Sequence, residues 1–558
     1  MAKYQLLERQ EDNLLNHLLK ARGVSAEDTE AFLNPDYEKG RHDPFLLHDM
    51  EVAVERLLVA IKNNEKIAIY SDYDCDGIPG AVILHDFFKA IGYDNFINYI
   101  PHRHFEGFGL SEMAVEKLVN EGVQLIITID CGTSDLEAAD KAASLGVDLI
   151  ITDHHEPKDR LPVAVAVVNP RIGDSYPFPH LCGAAVVFKL AEATLSRGEF
   201  EVKPGQEKWW LDMVGIATIG DMVPLMGENR VFAHYGLQVL RKSRRPGLQH
   251  LLRKARADQR YLTEDDIGFT IAPRINAASR MDSPEDAFLM LSDKEEGSAG
   301  ARATHLEKLN NERKGMVASM TKELRRRMSE IIDLPDIIVM GNPEWRPALV
   351  GLCANGLAEE HNRPVFLWGR DGNGVIKGSC RSGSSISVVK IMEGAEQHFL
   401  EHGGHHASGG FAVKEDSVFH LGQALNDSYI SLGDKALANE EVNIDAVLSL
   451  EDITRDLLST LRSVAPYGAG NKKPLFAFQG VVPSQIESFG KTKEHLKLIF
   501  EIPNKKIEAI AFFANPEQYQ VVPAINEPLT LLAHVEESFF MNRWQTRLRI
   551  VDIVSDIQ

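Results

Sequence analysis

In IAIYSDYDCDGIPGAVIL, residues 67–84, an apolar run ends in three alternating carboxylates, Asp72, Asp74 and Asp76. Carboxylates at the lip of a buried strand cost free energy unless something compensates their charge. Three more acidic segments end apolar runs in the same way: IITIDCG with Asp130, IITDHHEP with Asp153, His154 and His155, and GIATIGDMVPL with Asp221. Taken singly, each aspartate is explained by a turn or a helix cap. Caps need no adjacent pair of histidines, however, and a cluster of carboxylates repels itself unless cations hold it together. The set points to a metal site. Carboxylate and imidazole donors without thiolate suit Mn²⁺ or Mg²⁺, the histidines favour Mn²⁺, and there are donors enough for two ions. Two ions about 3.5–4 Å apart stabilise both the attacking and the leaving oxygen of an in-line displacement at phosphorus, so the chemistry implied is phosphodiester hydrolysis.

These segments need a scaffold that gathers them. From Ile67 onward, short apolar runs (KIAIYSD, NFINYIP, VQLIITID, VDLIITD, VAVVNP) alternate with amphipathic helical stretches. That alternation predicts an α/β domain, a parallel sheet covered by helices on both faces. Ligands of such sheets bind beyond the carboxyl ends of the strands, and all four acidic segments are read as strand ends. Residues 1–50 read as short helices, 51–295 as this catalytic domain, and 296–332 as a connecting helix. Residues 333–432, with DIIVMG, PVFLWGR and NGVIKGSCRS, read as a second α/β domain. From 440 to 558 the strands lose their helices and alternate with period two, and five or six of them suggest a small barrel of the oligonucleotide-binding type.

A chain of 558 residues suggests roughly three or four domains. Its net charge of −21 argues against a protein that coats nucleic acid indiscriminately. Locally, RKSRRPGLQHLLRKARADQR at 241–260 and KELRRR at 322–327 are basic, and read either as solvated helix faces or as phosphate contacts. Five cysteines, at 75, 131, 182, 353 and 380, form no CxxC pair, so neither a disulfide framework nor a zinc finger is expected. With no apolar run of about 18 residues and no secretory signal, a cytoplasmic protein without a membrane segment is expected.

In their order along the chain, DYDCDG, IDCG, TDHH and GDMVPL resemble the four motifs of the DHH phosphoesterases. GSCRS at 378–382 and HGGHHASGGF at 402–411 resemble the DHHA1 domain that accompanies them. Within that superfamily the chain is similar nearly end to end to the RecJ family of exonucleases specific for single-stranded DNA. The similar segments include ARGVSAEDTEAFLNP, PHRHFEGFGL, IAPRINAASRMDSPEDA, WRPALVGL and APYGAGNKKPLFAF. Two positions depart from the family pattern, Arg346 where His is usual and Ser279 where Gly is usual.

The resemblance implies a 5′-to-3′ exonuclease releasing mononucleotides in DNA repair and recombination, with single-strand-binding protein and a helicase as partners. It implies that Asp130 bridges two metals, that Asp74 binds one, and that Asp76, His154 and Asp221 hold the other. His155 would stand beside the scissile phosphate as a ligand or transition-state stabiliser, and Asp72 and Asp153 would be ligands or would orient them. Arg103, Arg274, Asn276 and Arg280 would contact the strand, Ser379 and Arg381 its terminal phosphate, and the glycine-rich loop with Gly404 and His405 would offer backbone N–H groups to an anion. His406 is expected to be only a polar loop residue. Of the barrel aromatics Phe476, Phe512, Phe513 and Trp544, any one is expected to be core, although stacking on bases is the alternative. Two rival readings are a phosphodiesterase for short oligonucleotides or cyclic dinucleotides, and a catalytically silent DNA-binding scaffold.

Overall fold

A computed structural model of the chain describes residues 3–8, 11, 13–383, 386–433, 441–490, 493, 495–503, 505–540, 543–555 and 557. The first strand, β1 (Lys3–Leu6), pairs in parallel with Glu441–Ile444, far along the chain. The N-terminal segment is therefore not purely helical, as its sequence suggests. A strand of four residues whose partner lies more than 400 residues away leaves no local periodic signal.

Five strands then build an all-parallel sheet: β2 (Ile67–Ser71), β3 (Phe96–Tyr99), β4 (Leu125–Ile129), β5 (Asp148–Thr152) and β6 (Ala166–Val168), in the order β3-β2-β4-β5-β6. Side chains from alternate positions feed two cores. Ile67, Ile69, Ile127 and Ile150 pack against the helices Met50–Lys62, Gly77–Ala90 and Gly183–Arg197. Ala68, Tyr70, Ile126 and Ile151 pack against Glu112–Asn120 and Leu136–Leu145 on the other face. The register sets Ser71 opposite Ile129, Ile129 opposite Thr152, and Thr152 opposite Val168. Asp72, Asp130, Asp153 and Asn169, each one residue further on, consequently form a row along the carboxyl edge.

GIATIGDMVPL is not a strand. Residues Leu211–Gly220 form a helix buried through Ile219, and Asp221 is its C-cap. A helix that is apolar on every side has no amphipathic period and reads like a buried strand.

The helix Glu296–Ser329, about 50 Å long at 1.5 Å per residue, joins the domains by entering both of their cores. Ala303, Leu306 and Leu309 belong to the first, and Met320, Leu324 and Met328 to the second. There β7 (Ile338–Gly341), β8 (Val365–Arg370), β9 (Ile376–Arg381), β10 (Phe399–Gly404) and β11 (Ser408–Val413) form a sheet in the order β10-β11-β9-β8-β7. Only β7 and β8 run parallel.

The C-terminal sheet follows β12 (Glu441–Ile444), the partner of β1. It contains β13 (Ala446–Val447), β14 (Phe476–Val481), β15 (Gln485–Phe489), β16 (His495–Ile502), β17 (Lys505–Ala511), β18 (Leu529–Phe540) and β19 (Arg543–Val554). The order is β13-β14-β18-β19-β17-β16-β15. Phe478 of β14, Leu498 of β16 and Leu531 of β18 share one core, as a sheet curled on itself requires. Arg230 of the catalytic domain ties this unit down by donating to the carbonyls of Val464 and Ala465 at 3.0 Å. Among the described residues no helix is long and apolar enough to cross a membrane.

Candidate metal centre

Strand order reverses beside β2, whose neighbours are β3 and β4, so the crevice opens where Asp72 and Asp130 stand. Asp130 has φ 61°, a left-handed conformation uncommon for a non-glycine residue and typical of strained functional sites. The helix Gly183–Arg197 begins against it. A Cβ on Gly183 would lie 2.6 Å from Asp130 Cβ, so only glycine lets the helix start so close. That close start brings the N–H groups of Gly183 and Ala184 to Asp76, which accepts from them at 2.6 and 2.7 Å. Asp74 Oδ1 accepts from the N–H of Asp76 at 2.8 Å and so orders the turn into the helix Gly77–Ala90.

His154 Nε2 lies 3.1 Å from Asp130 Oδ1, 3.6 Å from Asp76 Oδ2 and 3.8 Å from Asp221 Oδ2. Asp130, His154 and His155 form one group of potential ligands, Asp76, His154 and Asp221 a second, and Asp72, Asp74 and Asp130 a third. Within each group the donor atoms lie within 4.8 Å of one another. Asp130 and His154 are each shared by two groups, which is the arrangement two neighbouring cations need.

The electrostatics ask for such cations. Burial, then the charges of Asp76, Asp74, Asp72 and Asp221, push the Asp130 carboxyl well above its ordinary value. Burial and the charge of Asp74 raise Asp76 to about 7, and burial with Asp76 and Asp74 raises Asp221 to about 9. Asp72 Oδ1 and Asp130 Oδ1 are buried and accept no hydrogen bond among the described residues. Oxygen and imidazole donors with two orphaned carboxylate oxygens fit Mn²⁺ or Mg²⁺.

Asp153 is differently employed. Its Oδ1 lies 2.7 Å from His155 Nδ1 and accepts from the His154 N–H, while Oδ2 accepts from the Thr133 N–H. Burial opposes a charged His155, yet the bond to Asp153 and the surrounding carboxylates carry it up to about 9. His154 goes the other way, to about 4, through burial and the charge of His155.

Across the crevice the second domain presents its own groups. The His405 ring lies 6.4 Å from that of His155, nearly parallel at 12°. HGGHHASGGF is a hairpin, with Gly403 opposite Gly410 and Gly404 opposite Gly409, so its ladder takes up N–H groups that an open loop would offer to an anion. Glycine's weak strand preference hid this hairpin. His406 is exposed at its turn. On β9, Ser379 and Arg381 press against Gly351, where an added Cβ would lie 3.2 Å from Ser379 Cβ and 3.3 Å from an Arg381 nitrogen.

Arg103 lies 4.9 Å from the Tyr73 ring centroid, and Arg280 donates to the Ala348 carbonyl at 2.7 Å. Burial and the charges of Arg103, Arg313 and Arg381 lower Arg280 to about 9, so these guanidiniums crowd one space and an anion there would relieve them. Asn276 Oδ1 is buried and accepts no hydrogen bond among the described residues. Arg274, beside Arg313, is committed within the chain. It is buried, with Nε 2.6 Å from Glu307 Oε2 and another nitrogen on the Thr270 carbonyl, and so serves as a clasp between helices. Ser279 is buried within its helix, and Arg346 is the exposed N-cap of Pro347–His361.

The model of the DHH family N-terminal domain matches residues 66–218, and that of the RecJ OB domain matches residues 444–552. The single-stranded-DNA-specific exonuclease RecJ of Bacillus subtilis is 33% identical over 547 residues, 97% of this chain and 67% of that protein. The chain belongs to the RecJ family. The RecJ of Escherichia coli is 32% identical over 83% of this chain and 82% of its own length. The crystal structure of RecJ from Thermus thermophilus in complex with Mn²⁺ superposes with a TM-score of 0.81 at 25% identity, covering 99% of this chain and 80% of that one.

Several groups around this RecJ-family site escaped the sequence reading. Phe108, 56% exposed, has its ring centroid 5.8 Å from that of His155 and 6.5 Å from that of Tyr73, nearly perpendicular to both. Asn169 donates to the His155 carbonyl and to Thr133, and Arg171 donates to the His154 carbonyl, so both hold the histidine loop from behind. Arg313 joins the arginine cluster from the connecting helix. Asn169 follows an apolar strand as the aspartates do, which was the one available signal. Several cations of the two basic stretches are paired within the chain: Arg245 with Asp86 and Asp212, Arg253 with Glu296, Arg260 with Asp258, Arg325 with Glu360 and Arg326 with Glu330. In the barrel Phe476 is core, whereas Phe512, Phe513 and Trp544 are exposed, Phe512 beneath Arg549 and Trp544 against Tyr261.

Proposed function

We propose that the chain is a metal-dependent exonuclease that degrades single-stranded DNA from the 5′ end to mononucleotides. The observation carrying this reading is that Asp130 and His154 are each shared by two ligand groups, beside a cluster formed by Arg103, Arg280, Arg313 and Arg381. Asp72, Asp74 and Asp130 would hold one ion, and Asp130, Asp76, His154 and Asp221 the other. Bound Mn²⁺ or Mg²⁺ would polarise the scissile phosphodiester and make water a stronger nucleophile near neutral pH. Asp153 fixes the ring of His155 through Nδ1, which leaves Nε2 to face a phosphate oxygen as a donor. Arg103, Arg280 and Arg381 neutralise the strand's phosphates, Ser379 and Arg381 receive the terminal one, and Phe108 offers a face for the first base. The barrel extends the path with Phe512, Phe513 and Arg549, which favours long strands over dinucleotides. The reaction belongs to DNA repair and recombination in the cytoplasm, where a helicase and single-strand-binding protein supply the strand. Five buried free thiols suit that reducing compartment.

The test follows product length over time, with Mn²⁺, on a 3′-labelled single strand bearing a 5′-phosphate, beside the matching blunt duplex and a dinucleotide. Progressive shortening of the single strand is expected. Cleavage confined to the dinucleotide, or equal digestion of the duplex, would overturn the proposal.

A further inference from the structure

The helix Gly77–Ala90 starts in the metal cluster and carries Asp86 ten residues beyond Asp76, about 15 Å away at 1.5 Å per residue. At that far end lies a cleft of about 740 Å³, within the range of small-ligand sites. Its floor is a built ion network: Arg245 reaches Asp212 at 2.8 Å and Asp86 at 2.8 Å, and Ser243 donates to Asp212 at 2.7 Å. Two carboxylates and one guanidinium leave the floor with a net negative charge. Asp86 Oδ1 has no hydrogen-bond partner among the described residues, so the network is one donor short.

The rim has the opposite character. Lys203, Arg244 and Lys294 line it, all exposed and none in an ion pair among the described residues. In a chain of net charge −21, three exposed cations around one cleft form a local concentration of positive charge. Trp209 stands between rim and floor with 47% of its surface exposed, and Arg244 lies 5.8 Å from its ring. An exposed indole in a concavity takes a flat ring, open cations take an anion, and a floor lacking a donor takes an N–H. One ligand chemistry joins the three: a nucleobase carrying a phosphate.

We propose that this cleft is a second nucleotide site. The base stacks on Trp209 with a ring or exocyclic N–H turned toward the carboxylate floor. The phosphate sits among Lys203, Arg244 and Lys294. The ligand is either a free mononucleotide or one nucleotide of a longer strand, and the site does not depend on the roles assigned at the metal centre.

The experiment titrates dGMP and dAMP into the full-length chain in EDTA by calorimetry, with inorganic phosphate and deoxyguanosine as probes of each half. A short phosphorothioate oligonucleotide is titrated in parallel. Saturable binding is expected, with Trp209→Ala and the pair Arg244→Ala/Lys294→Ala each weakening it roughly tenfold, the scale of one lost stacking contact. Asp130→Asn should leave it unchanged. The substituted cleft side chains, Trp209, Arg244 and Lys294, are exposed, and circular dichroism checks that all the variants fold. If the same substitutions weaken only the oligonucleotide, the site stands and its ligand is part of a strand. Binding of both probes unaffected by the cleft substitutions, loss of binding on Asp130→Asn, or no binding at all would each overturn the proposal.

Discussion

The catalytic domain buries charge in two places, and it treats them in opposite ways. Behind the sheet, Lys189 Nζ lies 2.6 Å from Glu228 Oε1 with both side chains inaccessible, and it also donates to the His42 carbonyl. The Tyr176 hydroxyl donates to the other Glu228 oxygen, and Arg41 grips both oxygens of Glu192 at 2.8 and 2.7 Å. Every charge there meets its opposite within the chain. At the carboxyl edge, Asp72, Asp76, Asp130 and Asp153 are as deeply buried, yet backbone N–H groups, two histidines and the nearby Arg103 do not match their charge one for one, and two carboxylate oxygens accept no hydrogen bond among the described residues. Burial alone therefore does not mark the functional site. What marks it is a charge balance that the chain leaves incomplete, to be closed from outside.

Breaking the closed network should cost the most stability. Lys189→Met leaves Glu228 charged in the core without its counter-ion, and should destabilise the protein by about 3–5 kcal/mol. Denaturant unfolding measures this, and adding Glu228→Leu should recover much of the loss. In the open network the same kind of change should act with the opposite sign. Asp130→Asn should lower the cleavage rate roughly 10²–10³-fold, the cost of losing one electrostatic contact to a transition state. The metal-free melting midpoint should stay level or rise, because a repelling carboxylate has gone. If Asp130→Asn destabilised the metal-free protein as Lys189→Met does, the contrast between the networks would be wrong. A smaller effect is expected at Asp153, which touches His155 and backbone N–H groups. Asp153→Asn should weaken Mn²⁺ affinity by roughly 10–100-fold, read by calorimetry.

How much of this was legible depended on whether the deciding interaction was local. The parallel sheet was legible because IAIYS and LIITI are apolar throughout, as strands covered on both faces must be. The metal type was legible because donor chemistry is written in residue identity. Asp221 shows the limit: its residue type drew attention, but the largely apolar, buried helix before it mimicked a strand. Arg274 shows another, since a guanidinium spent on Glu307 and one free for phosphate look alike in sequence. Phe108 and Asn169 matter only through what the fold sets beside them, and β1 finds its partner across nearly the whole chain. The closed network was invisible for the same reason, because Lys189 and Glu228 meet only once two helices pack.

The smallest effect expected is also the most direct reading of the open network, the pH dependence of stability without metal. Asp221 is raised from 3.8 to about 9, Asp76 from 3.8 to about 7, and His155 from 6.5 to about 9. Each raised group keeps a proton in the folded chain that the unfolded chain has already released. Folded stability therefore falls as pH rises from 6.5 toward 9, with Asp76 acting in the lower part of this window and Asp221 and His155 up to its end, all with the same sign. His154, lowered to about 4, acts in the other direction only below 6.5, outside the window. In EDTA the melting midpoint should fall by a few degrees across this range. With Mn²⁺ present the slope should flatten, because cations rather than protons then offset the carboxylates. The closed network should contribute little to either curve, since its charges are already matched. A metal-free midpoint that held level or rose over the same range would mean that the carboxylates at the sheet edge are compensated from within the chain after all, and the distinction between the two networks would fall.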